Sequence, residues 1–250
     1  MIEFNADVGE GYDDARLMPY VARVSIACGG HAGDAESMDA TLRLACEHGV
    51  AIGAHPGYPD REGFGRRRLA ATPEQIAEWV RQQTEALAER AETIGARLVH
   101  VKPHGALYNA AADDAGVARA VVRGIADVGE DLLVVALSGS FLVAEARRAG
   151  LRVLSEAFVD RRYDAAGRLV SRETPGAVLS DPAAAAAQAL ALARGRPVAT
   201  SDGGSVRITA DTLCLHGDTP QALQIAQAVS AAISSAFGSS SANEVQPCRY

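Results

Sequence analysis

The chain has 250 residues and a formal net charge of −7, with 24 Lys and Arg against 31 Asp and Glu. A hydrophobic fraction of 48% and a charged fraction of 22% are typical of a globular protein with a sizeable core. The chain has no excess of basic residues, which a nucleic-acid-binding surface would require. No apolar run approaches the roughly 20 residues that cross a bilayer. The amino terminus lacks the basic and apolar regions of a signal peptide, so we expect a cytoplasmic protein without membrane or nucleic-acid partners.

A short apolar run, a polar loop and an amphipathic helix recur along the chain. The runs that predict core strands are 2–6, 24–27, 50–54, 98–101, 132–137, 152–158 and 212–215. Four helices are predicted to begin after N-cap signals at Asp34, Thr72, Asp181 and Thr219. Two further helices are predicted, one over residues 114–128 and one that ends at Gly150. Two further short strands, 198–200 and 206–209, are predicted in a less regular region.

Strands that alternate with helices predict a parallel sheet with right-handed crossovers. About seven such units in this length favour an α/β fold with a single, irregular (β/α) barrel of about seven parallel strands. An open, doubly wound sheet is the alternative. We expect one barrel domain over residues 1–237 and a flexible C-terminal tail, rich in Ser, over 238–250.

Polar side chains follow the predicted strands at the point where each strand ends. In a barrel, the carboxyl ends of all strands share one face, where active sites lie. The side chains that would converge on that face are Asp7, His31, His55, His104, Asp160 and His216. His55 stands between Gly53 and Gly57, whose small size lets other groups approach the backbone. Taken alone, this motif is more typical of an ordinary strand-to-loop turn, and its recurrence along the chain is what favours a site.

An aspartate and two neutral imidazoles from different strands form a plausible site for one divalent metal, such as zinc, manganese or nickel. The preferred ligands are Asp7, His55 and His104. In the metal-free alternative, the histidines act as general acid and base, while Lys102 with Arg66 or Arg161 stabilises negative charge. The four cysteines show no C-x-x-C spacing, which argues against a structural zinc site or a redox pair.

Several basic residues suit a small anionic substrate, namely Lys102, Arg161, Arg162 and Arg172. Solvated surface charges are the alternative for the last two. The chain has no glycine-rich phosphate loop and no Gly-x-Ser-x-Gly elbow. Any ATP chemistry would therefore use an unorthodox site or a partner protein.

Long segments of the chain resemble one known family. They are Asn5-Ala-Asp-Val-Gly-Glu10, Ala27-Cys-Gly-Gly-His-Ala-Gly-Asp34, Gly53-Ala-His-Pro-Gly-Tyr-Pro-Asp60, Gly63-Phe-Gly-Arg-Arg67, Val101-Lys-Pro-His-Gly-Ala-Leu-Tyr-Asn109, Glu156-Ala-Phe-Val-Asp-Arg161 and Cys214-Leu-His-Gly-Asp-Thr-Pro220. Together they resemble the LamB/YcsF family of lactam-utilisation proteins over about residues 2–237. Gly30 departs from the family pattern, which usually has an aromatic residue there.

The resemblance implies a barrel related to the glycoside hydrolase/deacetylase superfamily. It also implies the ATP-dependent 5-oxoprolinase reaction, in which the lactam of 5-oxo-L-proline (pyroglutamate) opens to L-glutamate, together with subunits B and C. A lactam is a poor electrophile, and phosphorylation of the amide oxygen would drive ring opening. The missing phosphate loop is then understandable if partners supply part of the nucleotide site.

On this hypothesis, four side chains form the catalytic centre, with or without a metal: Asp7, His55, His104 and Lys102. The expected substrate-binding side chains are Glu10, His31, Arg66, Asn109, Asp160 and Arg161. Two alternatives stay open. The chain would be a metal-dependent deacetylase of small amides or sugars, or a non-catalytic subunit that presents substrate to its partners.

Overall fold

All seven predicted core runs form strands, and these strands pair in parallel into one closed barrel. The structure, a computed structural model, describes residues 2–238. Its strands are β1 (Glu3–Val8), β2 (Arg23–Ala27), β3 (Ala51–His55), β4 (His100–Val101), β5 (Leu133–Leu137), β6 (Val153–Phe158), β7 (Val198–Ala199), β8 (Ser205–Val206) and β9 (Thr212–Leu215). The barrel order is β1-β2-β3-β4-β5-β6-β9, with β9 closing on β1, while β7 and β8 form a separate antiparallel pair. The predicted barrel is confirmed.

Helices surround the barrel and begin mostly at the predicted N-caps. They are α1 (Ala35–Glu47), α2 (Pro73–Thr93), α3 (Gly105–Asp113), α4 (Ala115–Ala126), α5 (Phe141–Arg148), α6 (Pro182–Ala193) and α7 (Ala222–Phe237). The side chains of Asp34, Thr72 and Asp181 accept backbone N–H groups at the starts of α1, α2 and α6. These local signals are reliable because the capping bonds involve residues only two or three positions apart.

Two helical details differ from the sequence-based expectation. Helix α3 occupies residues that were predicted to form a polar loop. The sequence gives no start signal for this helix, because its first residue is Gly105 and its N-cap, His104, makes no capping bond. Its apolar face, which includes Leu107, is nevertheless buried against the core. Thr219 does not cap the last helix, since α7 begins at Ala222 after a turn in which the Ala222 N–H donates to the Thr219 carbonyl.

The barrel interior contains polar side chains that contact one another across non-adjacent strands. Lys102, just after β4, reaches Asn5 on β1 and Cys214 on β9. The Asn5 amide in turn donates to the Thr212 hydroxyl at 2.9 Å. Strands β1 and β9 are not neighbours of β4, so these contacts pass through the centre of the barrel.

No helix within residues 2–238 is long and apolar enough to cross a membrane. The predicted flexible tail, 238–250, lies outside the described residues except for Gly238. The domain boundary at residue 237 stays a prediction.

Gly53 lets the His100 ring pack against the backbone of β3. A Cβ atom at position 53 would lie 2.3 Å from the His100 ring, which is fully buried and contacts the Ser25 hydroxyl at 3.2 Å. Because the ring has no free space, a methyl group there forces a shift of the strand or of the ring.

We expect Gly53→Ala to lower the free energy of unfolding by about 1–3 kcal/mol, as overpacking typically does. Urea denaturation measures this change. Gly129→Ala is the matched control, because its added methyl group meets no atom within 4 Å. Equal stability of the two variants would contradict the packing argument.

Candidate active site

A cavity of about 380 Å³ opens at the carboxyl ends of the barrel strands. The predicted site residues that line it are Asp7, Glu10, His55, Arg66, Lys102, His104, Asn109 and Arg161. The remaining two contact lining residues, since His31 stacks on His104 and Asp160 is bonded to His216. The tertiary structure therefore brings the whole predicted set to one face of the barrel.

On one side of the cavity, three histidines surround the carboxylate of Glu10. Glu10 Oε1 lies 2.8 Å from His31 Nε2, 3.2 Å from His104 Nδ1 and 3.7 Å from His55 Nε2. Burial by itself would raise the pKa of Glu10, but the contacts with His104 and His31 hold it well below its usual range. Four ligand atoms, one from each residue, lie within 4.8 Å of one another, an arrangement that could hold a metal ion.

Backbone carbonyls fix the orientation of two of these rings. His55 Nδ1–H donates to the Lys102 carbonyl at 2.7 Å, and His104 Nε2–H donates to the Phe64 carbonyl at 2.9 Å. A carbonyl oxygen only accepts hydrogen bonds, so it determines which ring nitrogen carries the proton. His31 and His104 stack face to face, with ring centroids 3.5 Å apart. Burial lowers the pKa of His55 to about 3, which keeps its ring neutral.

Glycines make room for the histidine cluster, as the sequence pattern indicated. A Cβ atom at Gly57 would lie 3.0 Å from His31 Nδ1. Gly65 has a φ of +62°, and a Cβ atom there would lie 2.7 Å from the Cβ atom of His31 and 2.9 Å from the His104 ring. Position 65 therefore requires glycine for the loop after β3 to close over the rings, and at Gly57 a side chain would have to shift the His31 ring slightly.

Gly30 leaves space for a side chain from α2. A Cβ atom at position 30 would lie 2.1 Å from Gln83 Oε1. The Gln83 amide accepts from the Gly57 N–H at 3.0 Å and donates to the Gly57 carbonyl at 2.8 Å. In this chain, the Gln83 side chain thus occupies the space beside Gly30 and holds the loop after β3 against the histidine cluster.

At the floor of the cavity, Lys102 is enclosed by two carboxylates. Its Nζ lies 2.7 Å from Glu156 Oε1 and 3.0 Å from Asp7 Oδ1, and only 2% of the side chain is exposed. Burial alone would lower the pKa of Lys102, but the charges of Asp7 and Glu156 raise it well above its usual value. Burial would likewise raise the pKa of Asp7, yet His55 and Lys102 lower it to about 2. Lys102 is therefore a charged, structurally paired group.

On the opposite side of the cavity, Asp160 and His216 form a hydrogen-bonded pair. His216 Nδ1 lies 2.9 Å from both carboxylate oxygens of Asp160, so Nδ1–H donates to the carboxylate and Nε2 is the nitrogen available to accept a proton. The Phe158 ring stacks on the His216 ring, with ring centroids 5.4 Å apart. Burial would raise the pKa of Asp160, but His216 and Arg172 keep it lowered. This is the arrangement of a general base oriented by a carboxylate.

Arg161 is the cation that the cavity leaves without a carboxylate partner. It is 5% exposed, donates to the Val170 carbonyl at 2.6 Å and has an unpartnered Nε. Burial and the neighbouring Arg172 lower the pKa of Arg161 to about 10. Arg66 and Arg172 are instead both bonded to Asp218, at 2.8 and 2.6 Å. Arg161 is thus the better candidate anchor for an anionic group.

Sequence reasoning missed two contributors to this site. Glu156, whose Oε2 accepts from the Tyr108 hydroxyl at 2.6 Å, was treated as part of an apolar strand, although a carboxylate within such a strand is a signal. Asp218 was noted only as part of a motif. His216 was predicted to converge on this face, where it lies, but was given no role. Asn109 is exposed at the rim, so the structure gives it no buried contact.

Comparisons with known proteins agree with this architecture. The family model described as "LamB/YcsF family" matches residues 2–246. The A subunit of 5-oxoprolinase from Chloroflexus aggregans is 49% identical over 234 residues, covering 91% of this chain and 93% of the relative. The protein of the same name from Bordetella pertussis is 46% identical over 238 residues, covering 93% and 94%.

A solved structure has the same fold. The crystal structure of a lactam utilization protein from Thermus thermophilus is 42% identical, with a TM-score of 0.87, and the match covers 94% of this chain and 96% of that one. With a family model that matches nearly the whole chain and relatives close to half identical, this protein belongs to the LamB/YcsF family.

Proposed function

We propose that this chain is the A subunit of an ATP-dependent 5-oxoprolinase, which hydrolyses the lactam of 5-oxo-L-proline to L-glutamate while ATP is converted to ADP and phosphate. The names of its relatives support this activity. The structural observation that carries it is a small cavity with an unpaired buried arginine, Arg161, and the Asp160–His216 pair beside it.

The cavity suits a small carboxylate substrate. Its volume of about 380 Å³ lies near the lower end of the range of about 300–1,000 Å³ for ligand pockets. Arg161 lines the cavity and has no carboxylate bonded to its guanidinium. In a site shielded from water, a charge-assisted bond from such a group to the carboxylate of 5-oxo-L-proline is strong. The ion-paired Arg66 at the rim is a weaker candidate for this role.

Acid–base groups lie on both sides of the space next to Arg161. In the proposed mechanism, His216 Nε2 takes a proton from the attacking water, and Asp160 stabilises the resulting charge. The Lys102 ammonium, held by Asp7 and Glu156, stabilises negative charge that develops during ring opening. His55 and His104 complete the catalytic centre on the other side.

The sequence of this chain contains no recognisable motif for binding the ATP that the reaction consumes. It has no glycine-rich phosphate loop, so we propose that the nucleotide is bound by, or shared with, 5-oxoprolinase subunits B and C. The relatives are named as one lettered subunit of the enzyme, which supports an assembly of several different chains. We also propose a cytoplasmic location, because the reaction depends on ATP.

A metal-dependent deacetylase of small amides or sugars is the second candidate, favoured by the cluster of Glu10, His31, His55 and His104. It would act without ATP and without partner subunits. The third candidate is a non-catalytic subunit that only presents substrate to its partners.

We expect ATP-dependent release of glutamate from 5-oxo-L-proline only when this chain is mixed with its partner subunits. An enzyme-coupled glutamate assay, with each subunit omitted in turn, measures this dependence. Hydrolysis of acetylated substrates by the chain alone, without ATP, would support the deacetylase instead. No glutamate from any combination would contradict the proposal.

Arg161→Met should raise the KM for 5-oxo-L-proline about 10- to 100-fold, because a hydrogen bond to a charged group contributes about 1.5–3 kcal/mol. Steady-state kinetics of the assembled enzyme tests this effect. Arg162→Met is the control, since the neighbouring Arg162 does not line the cavity. An unchanged KM in Arg161→Met, at unchanged thermal stability, would remove Arg161 from the binding site.

His216→Gln should lower kcat on the order of 10²- to 10⁴-fold, the usual contribution of general acid–base catalysis, with little change in KM. His48→Gln on the surface end of α1 is the control. If the chain only presents substrate, His216→Gln would instead leave kcat at saturation unchanged.

A further inference from the structure

We propose that Glu10, His55 and His104 together bind one divalent transition-metal ion, with His31 packed beside them. The positions of the ring nitrogens and of their hydrogen-bond partners support this site, independently of the substrate proposed above. The set differs from the sequence-based one of Asp7, His55 and His104 in its carboxylate.

Two ring nitrogens of the cluster face each other. His55 Nε2 and His104 Nδ1 are 3.0 Å apart. When both rings are neutral, each proton sits on the other nitrogen, which donates to the carbonyl of Lys102 or Phe64, and the two facing nitrogens both carry lone pairs. Two acceptors at this distance repel each other unless a positive species lies between them. A bound cation satisfies both lone pairs at once.

Glu10 adds a negative charge at the same point. Its Oε1 lies 2.8–3.7 Å from the nearest nitrogens of His31, His104 and His55. Metal–nitrogen bonds of about 2.0–2.1 Å place neighbouring ligands of a tetrahedral ion roughly 3.3 Å apart. The separations among Glu10 Oε1, His55 Nε2 and His104 Nδ1 are 3.0, 3.2 and 3.7 Å, which bracket this value.

His31 supports the cluster as a neighbour of Glu10. Its side chain is fully buried, and its Nε2 lies 2.8 Å from Glu10 Oε1. Its ring is parallel to that of His104, with centroids 3.5 Å apart and an interplanar angle of 2°, so the in-plane lone pairs of these two rings cannot converge on one ion. His31 therefore holds the Glu10 carboxylate from outside the ligand set.

Asp7 is less suitable as the carboxylate ligand. Its Oδ2 lies 3.5 Å from His55 Nε2, but its Oδ1 is 3.0 Å from the Lys102 ammonium. A second cation close to that ammonium would be repelled by it. Glu10 forms no contact with a lysine or arginine within ion-pair distance in the described part of the chain.

Two imidazoles and one carboxylate favour zinc, iron, cobalt, nickel or copper over magnesium or calcium. The carbonyl bonds of His55 and His104 are the outer contacts that usually fix ligating rings. Glu10, His55 and His104 also line the cavity, so the bound ion would supply Lewis acidity beside the proposed substrate.

The test uses the full chain without a histidine tag, stripped with a chelator and dialysed, in the absence of substrate and ATP. We expect calorimetric titration with Zn²⁺ to give one strong site per chain, and elemental analysis to find one ion after gel filtration. Co²⁺ should give the visible absorption of a low-symmetry nitrogen and oxygen site. A wild-type chain that retains neither Zn²⁺, Co²⁺ nor Ni²⁺ overturns the proposal and leaves a shared proton between the rings.

Variants identify the ligands. Glu10→Gln and His104→Gln should weaken Zn²⁺ binding by more than about 100-fold, which exceeds the usual effect of an outer-shell partner. Asp7→Asn and the surface control His48→Gln should retain the ion. Wild-type affinity in Glu10→Gln and His104→Gln, or loss of the ion in Asp7→Asn with retention in Glu10→Gln, overturns the assigned set.

Circular dichroism and thermal melting establish that each variant is folded. If His104→Gln does not fold, the near-isosteric Glu10→Gln decides the question through the Co²⁺ spectrum. Because binding is measured without substrate, its failure leaves the 5-oxoprolinase proposal standing, and an inactive assembly with a tightly bound ion leaves the metal site standing.

Discussion

The buried ammonium of Lys102 connects the parts of this structure more directly than any other group. Its side chain joins β1, β6 and β9 through Asp7, Glu156 and Cys214, across the barrel interior. Its backbone carbonyl accepts the bond that orients His55. A charge at this depth is tolerable only because two carboxylates and the Asn5 amide oxygen surround it. The same residue therefore stabilises the barrel and positions the neighbouring cluster.

Two groups of polar side chains lie on different sides of the cavity. On the side of β1 to β4, three imidazoles surround the carboxylate of Glu10. On the side of β6 and β9, Asp160 orients His216, while Arg161 has no carboxylate partner. Under the two proposals above, an amide bond between these sides would meet a proton acceptor on one face and a Lewis-acidic ion on the other, and both groups promote its hydrolysis.

Glycines and one glutamine determine how closely the loops approach the cluster. Gly57 and Gly65 lie against His31 and His104, so a side chain at either position would have to displace these histidines. Gln83 reaches from α2 into the space beside Gly30 and holds both backbone groups of Gly57. The pocket wall of this chain thus depends on a pair of positions, 30 and 83, rather than on either residue alone.

The sequence by itself determined the barrel, its strands and most helix starts, because apolar periodicity and capping bonds act over a few residues. It also determined which face carries the site, since parallel strands bring their carboxyl ends together. Only the tertiary structure decided which carboxylate joins the histidines, that Lys102 is paired while Arg161 is not, and that α3 exists. These outcomes depend on contacts such as that of Lys102 with Cys214, 112 positions apart, and on backbone carbonyls that fix ring tautomers. Spacing along a chain carries no information about distances across a barrel, so no local pattern could have supplied them.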